Sequence, residues 1–357
     1  RRRHGEKGTD VVMAQQKIAI VGLGLIGGSL ARRLADAGCE VTAWNHNDRP
    51  YATAEADGIR CMPSLGALAE AKPDVLVLCN PLKAMPQILA TLRESLDPET
   101  TTLTDVGSVK GMVRDQVAAA GLDRCYVGAH PMAGNELSGW EASDPTLYDN
   151  ALWAITVDEH TEYRRFLAVA TMIVEHCANR LIVLDDATHD RGAALISHMP
   201  HVIATAMINE LVDNPDRNIA AALAAGSWRD MTRVALTDPN RTRAMVEEDA
   251  TNVETLLRGM AGRLTAMADV LRRIGDRGVT DTDDDTRLSE FFAQGQPFRD
   301  YKAASKAPDY ADRCAMAELA IPEHGWQRAL LESARRGEHV IRFEDDHHVV
   351  TQVRSAV

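Results

Sequence analysis

The run Lys17-Ile-Ala-Ile-Val21 passes directly into Gly22-x-Gly24-x-x-Gly27 and then into a helix-forming stretch, and no other feature limits the fold so tightly. A β-branched run, a glycine turn and a helix at this spacing open a parallel α/β unit that binds a dinucleotide. Gly22 permits the tight turn, Gly24 lets the backbone approach a pyrophosphate, and Gly27 lets helix and strand pack closely. Leu23, Leu25 and Ile26 complete the cradle, and the helix N-terminus faces the phosphates.

Beyond this turn, short β-branched runs alternate with stretches of helical period up to about residue 184, the pattern of a parallel sheet covered by helices. Strands are expected at Lys17 to Val21, Glu40 to Asn45, Asp74 to Asn80, Thr101 to Asp105 and Cys125 to Ala129, with Leu152 to Val157 and Leu181 to Leu184 extending the sheet. From about Asp185 the chain becomes alanine-rich and helix-periodic. The expected fold is therefore a Rossmann-type α/β nucleotide-binding domain over residues 13–184, followed by an all-α helical domain over 185–300.

Residues 1–12 read as a disordered leader, and 301–357 as a C-terminal extension of unassigned role with an amphipathic piece at Trp326 to Arg335 and a strand–turn–strand around Asp345-Asp346. One long helix is expected from Thr188 to Leu211, bent at Pro200, and a second from Asn240 to Ile274. The second is apolar on more than one face, which suits a homodimer interface. The acidic run Thr280 to Asp285 is expected as a solvated loop, since it lacks the glycine and glutamate spacing of a calcium loop.

A formal charge of −13 argues against a nucleic-acid partner. No stretch approaches the ~20 apolar residues that span a bilayer, so no membrane partner is expected. Six scattered cysteines without C-x-x-C spacing fit reduced thiols in a cytoplasmic protein.

In the usual NAD pattern an acidic residue ends the second strand and holds the ribose hydroxyls. Here that strand ends in Asn45, followed by His46, Asn47, Asp48 and Arg49. Loss of the carboxylate removes the repulsion that excludes a 2′-phosphate, and Arg49 or His46 can meet one. The cofactor is read as NAD or NADP, with Asn45, Arg49 and Asn80 added to the cofactor-binding set.

Polar residues concentrate in Asp105-Val-Gly-Ser-Val-Lys110, in Gly128-Ala-His-Pro-Met-Ala-Gly134 and from His189 to His201. The first two follow the carboxyl ends of sheet strands, where open parallel sheets bind ligands. Together with Glu136, His189-Asp190, Ser197-His198-x-Pro200-His201, Arg229-Asp230-x-x-Arg233 and Asp238-Pro239, they resemble the prephenate dehydrogenase family, including its arogenate-using members, from about residue 17 to 275.

The resemblance implies oxidative decarboxylation of prephenate to 4-hydroxyphenylpyruvate in tyrosine biosynthesis, or of arogenate directly to tyrosine. It assigns His130 as acceptor for the substrate's 4-hydroxyl and Ser108 as a group that orients the histidine, the hydroxyl or the nicotinamide amide. Arg233 becomes the substrate-carboxylate clamp, Glu136 its gate when substrate is absent, His201 a contact to the pyruvyl end, and His189 a support or carboxylate contact. Taken by itself Ser108 also suits a helix N-cap, and His198 a satisfied core histidine. No metal site is expected, because the histidines lack a completed ligand set. Thr242 departs from the family, whose members can carry an aromatic residue there, and this leaves keto and amino side chains both open.

Two other readings compete. Dehydrogenases of the 3-hydroxyacid type place a catalytic lysine in the helical domain, but this chain has no lysine between Lys110 and Lys302. A non-catalytic dinucleotide sensor would keep the glycine turn without a reason to hold His130, Ser108 and Arg233.

Overall fold

The computed structural model describes residues 15–355, so the expected leader lies outside the described residues. Five parallel strands, β1 (Lys17–Val21), β2 (Glu40–Trp44), β3 (Arg60–Cys61), β4 (Val75–Leu78) and β5 (Thr102–Asp105), form a sheet in the order β3-β2-β1-β4-β5. Every residue of β4, and Ile18 to Val21 of β1, is buried, as a sheet covered on both faces requires. Strand order reverses at β1, which opens a crevice at its carboxyl end. The strand β3 was not anticipated; two residues are too few to show a period.

The later strands do not simply extend this sheet. A single parallel bridge, Leu103 to Tyr126, joins β5 to a second sheet ordered β6-β7-β8-β10-β11-β9. Here β6 (Gly128–Pro131) runs antiparallel to β7 (Leu152–Thr156), and β7 runs parallel to β8 (Arg180–Leu184).

The C-terminal extension supplies the rest: β9 (Met316–Ala320), β10 (Glu338–Asp345) and β11 (His348–Val353). The hairpin β10–β11 and the helix Trp326–Arg335 agree with the sequence pattern. The strand β10 pairs with β8 at Val340 and Leu181, and Trp326 and Leu330 enter the same core as Phe166. The extension is thus joined to the second sheet through β8.

In the helical domain, Asp186–Ala193 continues through a π turn, Ala194–His198, into Met199–Asp213. The wide turn sits directly before Pro200, whose missing N–H would interrupt a regular ladder. The second long helix is broken in two, Pro239–Glu248 and Ala250–Arg277, at Asp249, whose side chain is engaged by His198 and Asn252.

The acidic run is not a loop. Asp281 caps the helix Thr282–Ala293 by accepting the Asp284 N–H, and buried Asp284 pairs with Arg273 and Arg277. Carboxylates gathered at the positive end of a helix are stabilised there.

Candidate active site

At the carboxyl end of β1 the backbone of Gly22 takes φ +100°, a conformation that side chains rarely adopt. A Cβ on Gly27 would lie 2.0 Å from the Gly22 carbonyl oxygen, so only glycine permits this approach of helix to turn. A Cβ on Gly24 would meet nothing within 4 Å, which leaves room for a ligand to approach its backbone. The helix Leu25–Asp36 starts there with no side-chain cap and no acidic residue in its first turn. Its first N–H groups are therefore available to a pyrophosphate, and the residues present fit a dinucleotide.

Asn45 proves to be a brace for the turn: its Oδ1 accepts the Leu23 N–H at 3.0 Å and its Nδ2 donates to Asn47 O. Asn80 lies beside Gly22, with its Oδ1 buried and without a partner. His46, Asp48 and Arg49 are exposed at the end of β2, and Arg49 makes no ion pair among the described residues.

His130 stands on β6, and its loop returns over the glycine turn so that Gly134 faces Ile26. The imidazole is tied into a chain. His130 Nδ1 lies 2.9 Å from His189 Nε2, and His189 Nδ1 lies 2.8 Å from Asp190 Oδ1. Asp190 also accepts the backbone N–H groups of Lys110 and Gly111. Burial pushes the Asp190 carboxyl up, but these hydrogen bonds outweigh it and hold the group below the ordinary aspartate range.

An ionised carboxylate only accepts, so His189 donates through Nδ1 and, when neutral, accepts through Nε2. His130 then donates through Nδ1 and keeps a lone pair on Nε2, which has no protein partner among the described residues. Burial, then the neighbouring His189 and Lys110, hold the His130 pKa well below 6.5. The ring is a neutral acceptor at pH 7.

Under this chain lies a buried ion pair between Lys110 and Asp105. Lys110 Nζ also donates to Ala129 O, next to His130, while Asp105 accepts from Tyr126 Oη and the Gly107 N–H. Ser108 is half-buried and its side chain makes no hydrogen bond among the described residues, and the following helix is capped at Lys110, so Ser108 is not an N-cap.

His198 is fully buried against Asp249 at 2.9 Å, with its Nε2 unpartnered. His201, half-buried, bonds to Ser197 O. The helix carrying His201 packs against the turn Arg233–Leu236, which brings Arg233 to its side. The helix Gly226–Thr232 ends one residue before Arg233, so Arg229 and Arg233 do not share one continuous helix. Arg229 pairs with Asp230 at 3.4 Å, whereas Arg233 is exposed and without an ion pair among the described residues. The expected gate is not formed, since Glu136 is exposed and makes no ion pair with Arg233.

Sequence reasoning missed Arg241, which donates to Asn135 O and Leu137 O and so clamps the loop after His130 to the helical domain. It also missed Asp190 as the anchor of the histidine chain and Asp249 as the partner of His198. The adjacent pair His189-Asp190 was the available signal for the first; nothing local pointed to the others.

A glycine turn at the carboxyl edge of a parallel sheet, with a helical domain behind it, defines an NAD(P)-dependent oxidoreductase of two-domain type. Two family models match in tandem, the prephenate dehydrogenase nucleotide-binding domain over residues 30–183 and the prephenate dehydrogenase dimerization domain over 185–294. The chain belongs to the prephenate dehydrogenase family.

Cyclohexadienyl dehydrogenase of Zymomonas mobilis is 30% identical over 240 residues, covering 65% of this chain and 80% of that one. The crystal structure of Aquifex aeolicus prephenate dehydrogenase in complex with hydroxyphenyl propionate and NAD+ is similar with a TM-score of 0.69 at 26% identity, covering 80% of this chain and 99% of that one. Synechocystis arogenate dehydrogenase gives a TM-score of 0.68 at 25% identity, with the same coverages of 80% and 99%.

Proposed function

We propose that the chain oxidises and decarboxylates prephenate to 4-hydroxyphenylpyruvate in tyrosine biosynthesis, acting as a cytoplasmic homodimer. The observation that carries the reading is the chain Asp190–His189–His130, which ends in a free acceptor beside the glycine turn. His130 Nε2 accepts the hydrogen bond of the substrate's 4-hydroxyl, and Arg233 holds a substrate carboxylate with its planar fork. Ser108, His201 and Glu136 line the substrate's path. A dinucleotide held at Gly22, Gly24 and Gly27 would supply the hydride acceptor for the carbon bearing that hydroxyl.

Carbon dioxide leaves the opposite ring carbon, and its bonding pair completes the aromatic ring. Charge balances without release of a proton: the substrate dianion and oxidised cofactor become a monoanion, carbon dioxide and reduced cofactor. Arogenate shares the reacting ring and differs only at the side chain, where Thr242 leaves a small, polar wall.

The test is absorbance at 340 nm with prephenate and arogenate, each with NAD and NADP. Turnover of prephenate is expected; none on either substrate with either cofactor would overturn the reading. Because Asn45 carries no charge to repel a 2′-phosphate, both cofactors are expected to work. Arg49→Ala should raise KM for NADP about tenfold, the loss of one charge-assisted contact, and leave KM for NAD within a factor of about two.

Asp190→Asn replaces the acceptor-only carboxylate, so His189 can carry its proton on Nε2 and donate to His130 Nδ1 instead of accepting from it. The expected result is a kcat lower by about tenfold or more at little change in KM, since His130 loses its imposed tautomer. An unchanged kcat would remove Asp190 from the mechanism.

The dimer reading is supported by the helical domain, where Ile219, Leu223, Leu264, Leu271 and Phe292 are exposed, an apolar surface that a second copy would cover. Light scattering that gives a monomer mass at micromolar concentration would contradict it.

A further inference from the structure

Neither family model reaches beyond residue 294, yet the C-terminal segment builds a polar cluster against the nucleotide-binding layer. Arg180 opens β8, and its guanidinium donates to Asn150 O at 3.0 Å and to His339 Nδ1 on β10 at 3.2 Å. His339 pairs across the hairpin with Gln352 on β11. Gln352 donates to Ala311 O at 2.8 Å and accepts from Arg354 Nε at 2.6 Å. The Arg354 guanidinium lies 5.2 Å from the centre of the Tyr310 ring, and Tyr310 meets Tyr301 edge to face at 6.2 Å.

Three features of this cluster belong together. Arg180, Arg354 and His339 are all half-buried, and neither arginine forms an ion pair with a carboxylate among the described residues. Half-buried Arg32, Arg33 and Arg114, by contrast, each have one. Since Arg180 occupies His339 Nδ1, the neutral ring carries its proton on Nε2 and adds another donor. Burial, followed by Arg180 and Arg354, pulls the His339 pKa down to about 4. Burial and then Arg354 lower the Arg180 pKa as well.

Half-buried cations without a counter-charge are costly, and a ligand anion relieves that cost. We propose that Arg180, Arg354 and His339, roofed by Tyr301 and Tyr310, form a binding site for a small oxyanion, a carboxylate or phosphate group, separate from the glycine turn and from His130. Guanidiniums present paired donors that match both oxyanions. The Tyr310 ring, under Arg354, holds that guanidinium beside the site. Because the residues come from β8, β10, the residue that follows β11 and the segment before β9, occupancy would fasten the C-terminal hairpin to the sheet and raise the stability of the whole layer.

The experiment is isothermal titration and thermal unfolding of the full chain with sodium phosphate and with sodium benzoate, at ionic strength held constant with sodium chloride. Saturable binding of at least one anion, with a rise in Tm, is expected in the wild type. Arg354→Gln should weaken it about tenfold or more, and Arg354→Lys, which keeps the charge but not the fork, about fivefold. Arg233→Ala should leave it intact, which separates this site from the proposed substrate clamp.

A histidine-resolved NMR titration adds an independent reading, because an anion beside His339 should raise its pKa from the depressed value. Tighter binding of benzoate would identify an organic carboxylate as the ligand class, and tighter binding of phosphate an inorganic or phosphorylated one. No saturable binding of either anion to the wild type, or equal binding to wild type and both Arg354 variants, would overturn the proposal.

Discussion

Replacing His130 by asparagine is expected to lower kcat by about 10²-fold or more while the substrate still binds, the usual contribution of a positioned base. Asparagine can accept a hydrogen bond from the substrate hydroxyl, but it has neither the basicity of the imidazole nor the polarisation supplied through His189 and Asp190. Steady-state kinetics at 340 nm measure the loss; an unchanged kcat would remove His130 from the chemistry.

The pH profile provides a second, separable reading. With its pKa well below 6.5, His130 stays neutral as the pH falls past the ordinary histidine range. The His130-dependent acid limb of kcat/KM should therefore lie below pH 6.5. Arg233→Ala should behave differently. It should raise KM by about tenfold and spare most of kcat, because a carboxylate clamp acts in the ground state and the transition state alike.

The glycine turn and its strand were legible because everything they need is local: a β-branched run, Gly22, Gly24 and Gly27, and a helix-forming stretch in direct succession. The histidines were legible as types and as neighbours in sequence, but their connections were not. His130 meets His189 across 59 positions, and Asp190 reaches back 80 positions to the Lys110 N–H. No periodicity reports such pairings. Asn45 was read as a cofactor-binding residue at the place where a carboxylate ordinarily holds the ribose, and its Oδ1 also holds the turn itself through the Leu23 N–H.

Of the C-terminal strands, β9 was harder still. The segment Met316-Ala-Glu-Leu-Ala320 has little β-branched character and becomes a strand through pairing with β11. The acidic run at Asp281 to Asp285 was misjudged for a related reason. Its charge suggested solvent, but a helix N-terminus and two arginines give Asp284 a buried place.

The largest loss of stability is expected at Lys110, a residue that composition alone would place on the surface. Its ammonium is fully buried and paired with Asp105, which is itself fully buried. Lys110→Met keeps much of the side-chain volume but leaves the Asp105 charge with only the Tyr126 hydroxyl and the Gly107 and Ala129 N–H groups. Removal of one partner from a buried pair costs about 3–5 kcal/mol, so the urea midpoint should fall steeply. Asp105→Asn in the same chain should recover part of that cost, because no charge is then left unpaired. If the two substitutions add instead, the pair is not what holds this region. Catalysis gives the same change a second signature. The Lys110 charge helps to keep His130 deprotonated. In folded Lys110→Met the His130 pKa should therefore rise, and the acid limb of kcat/KM should move to higher pH.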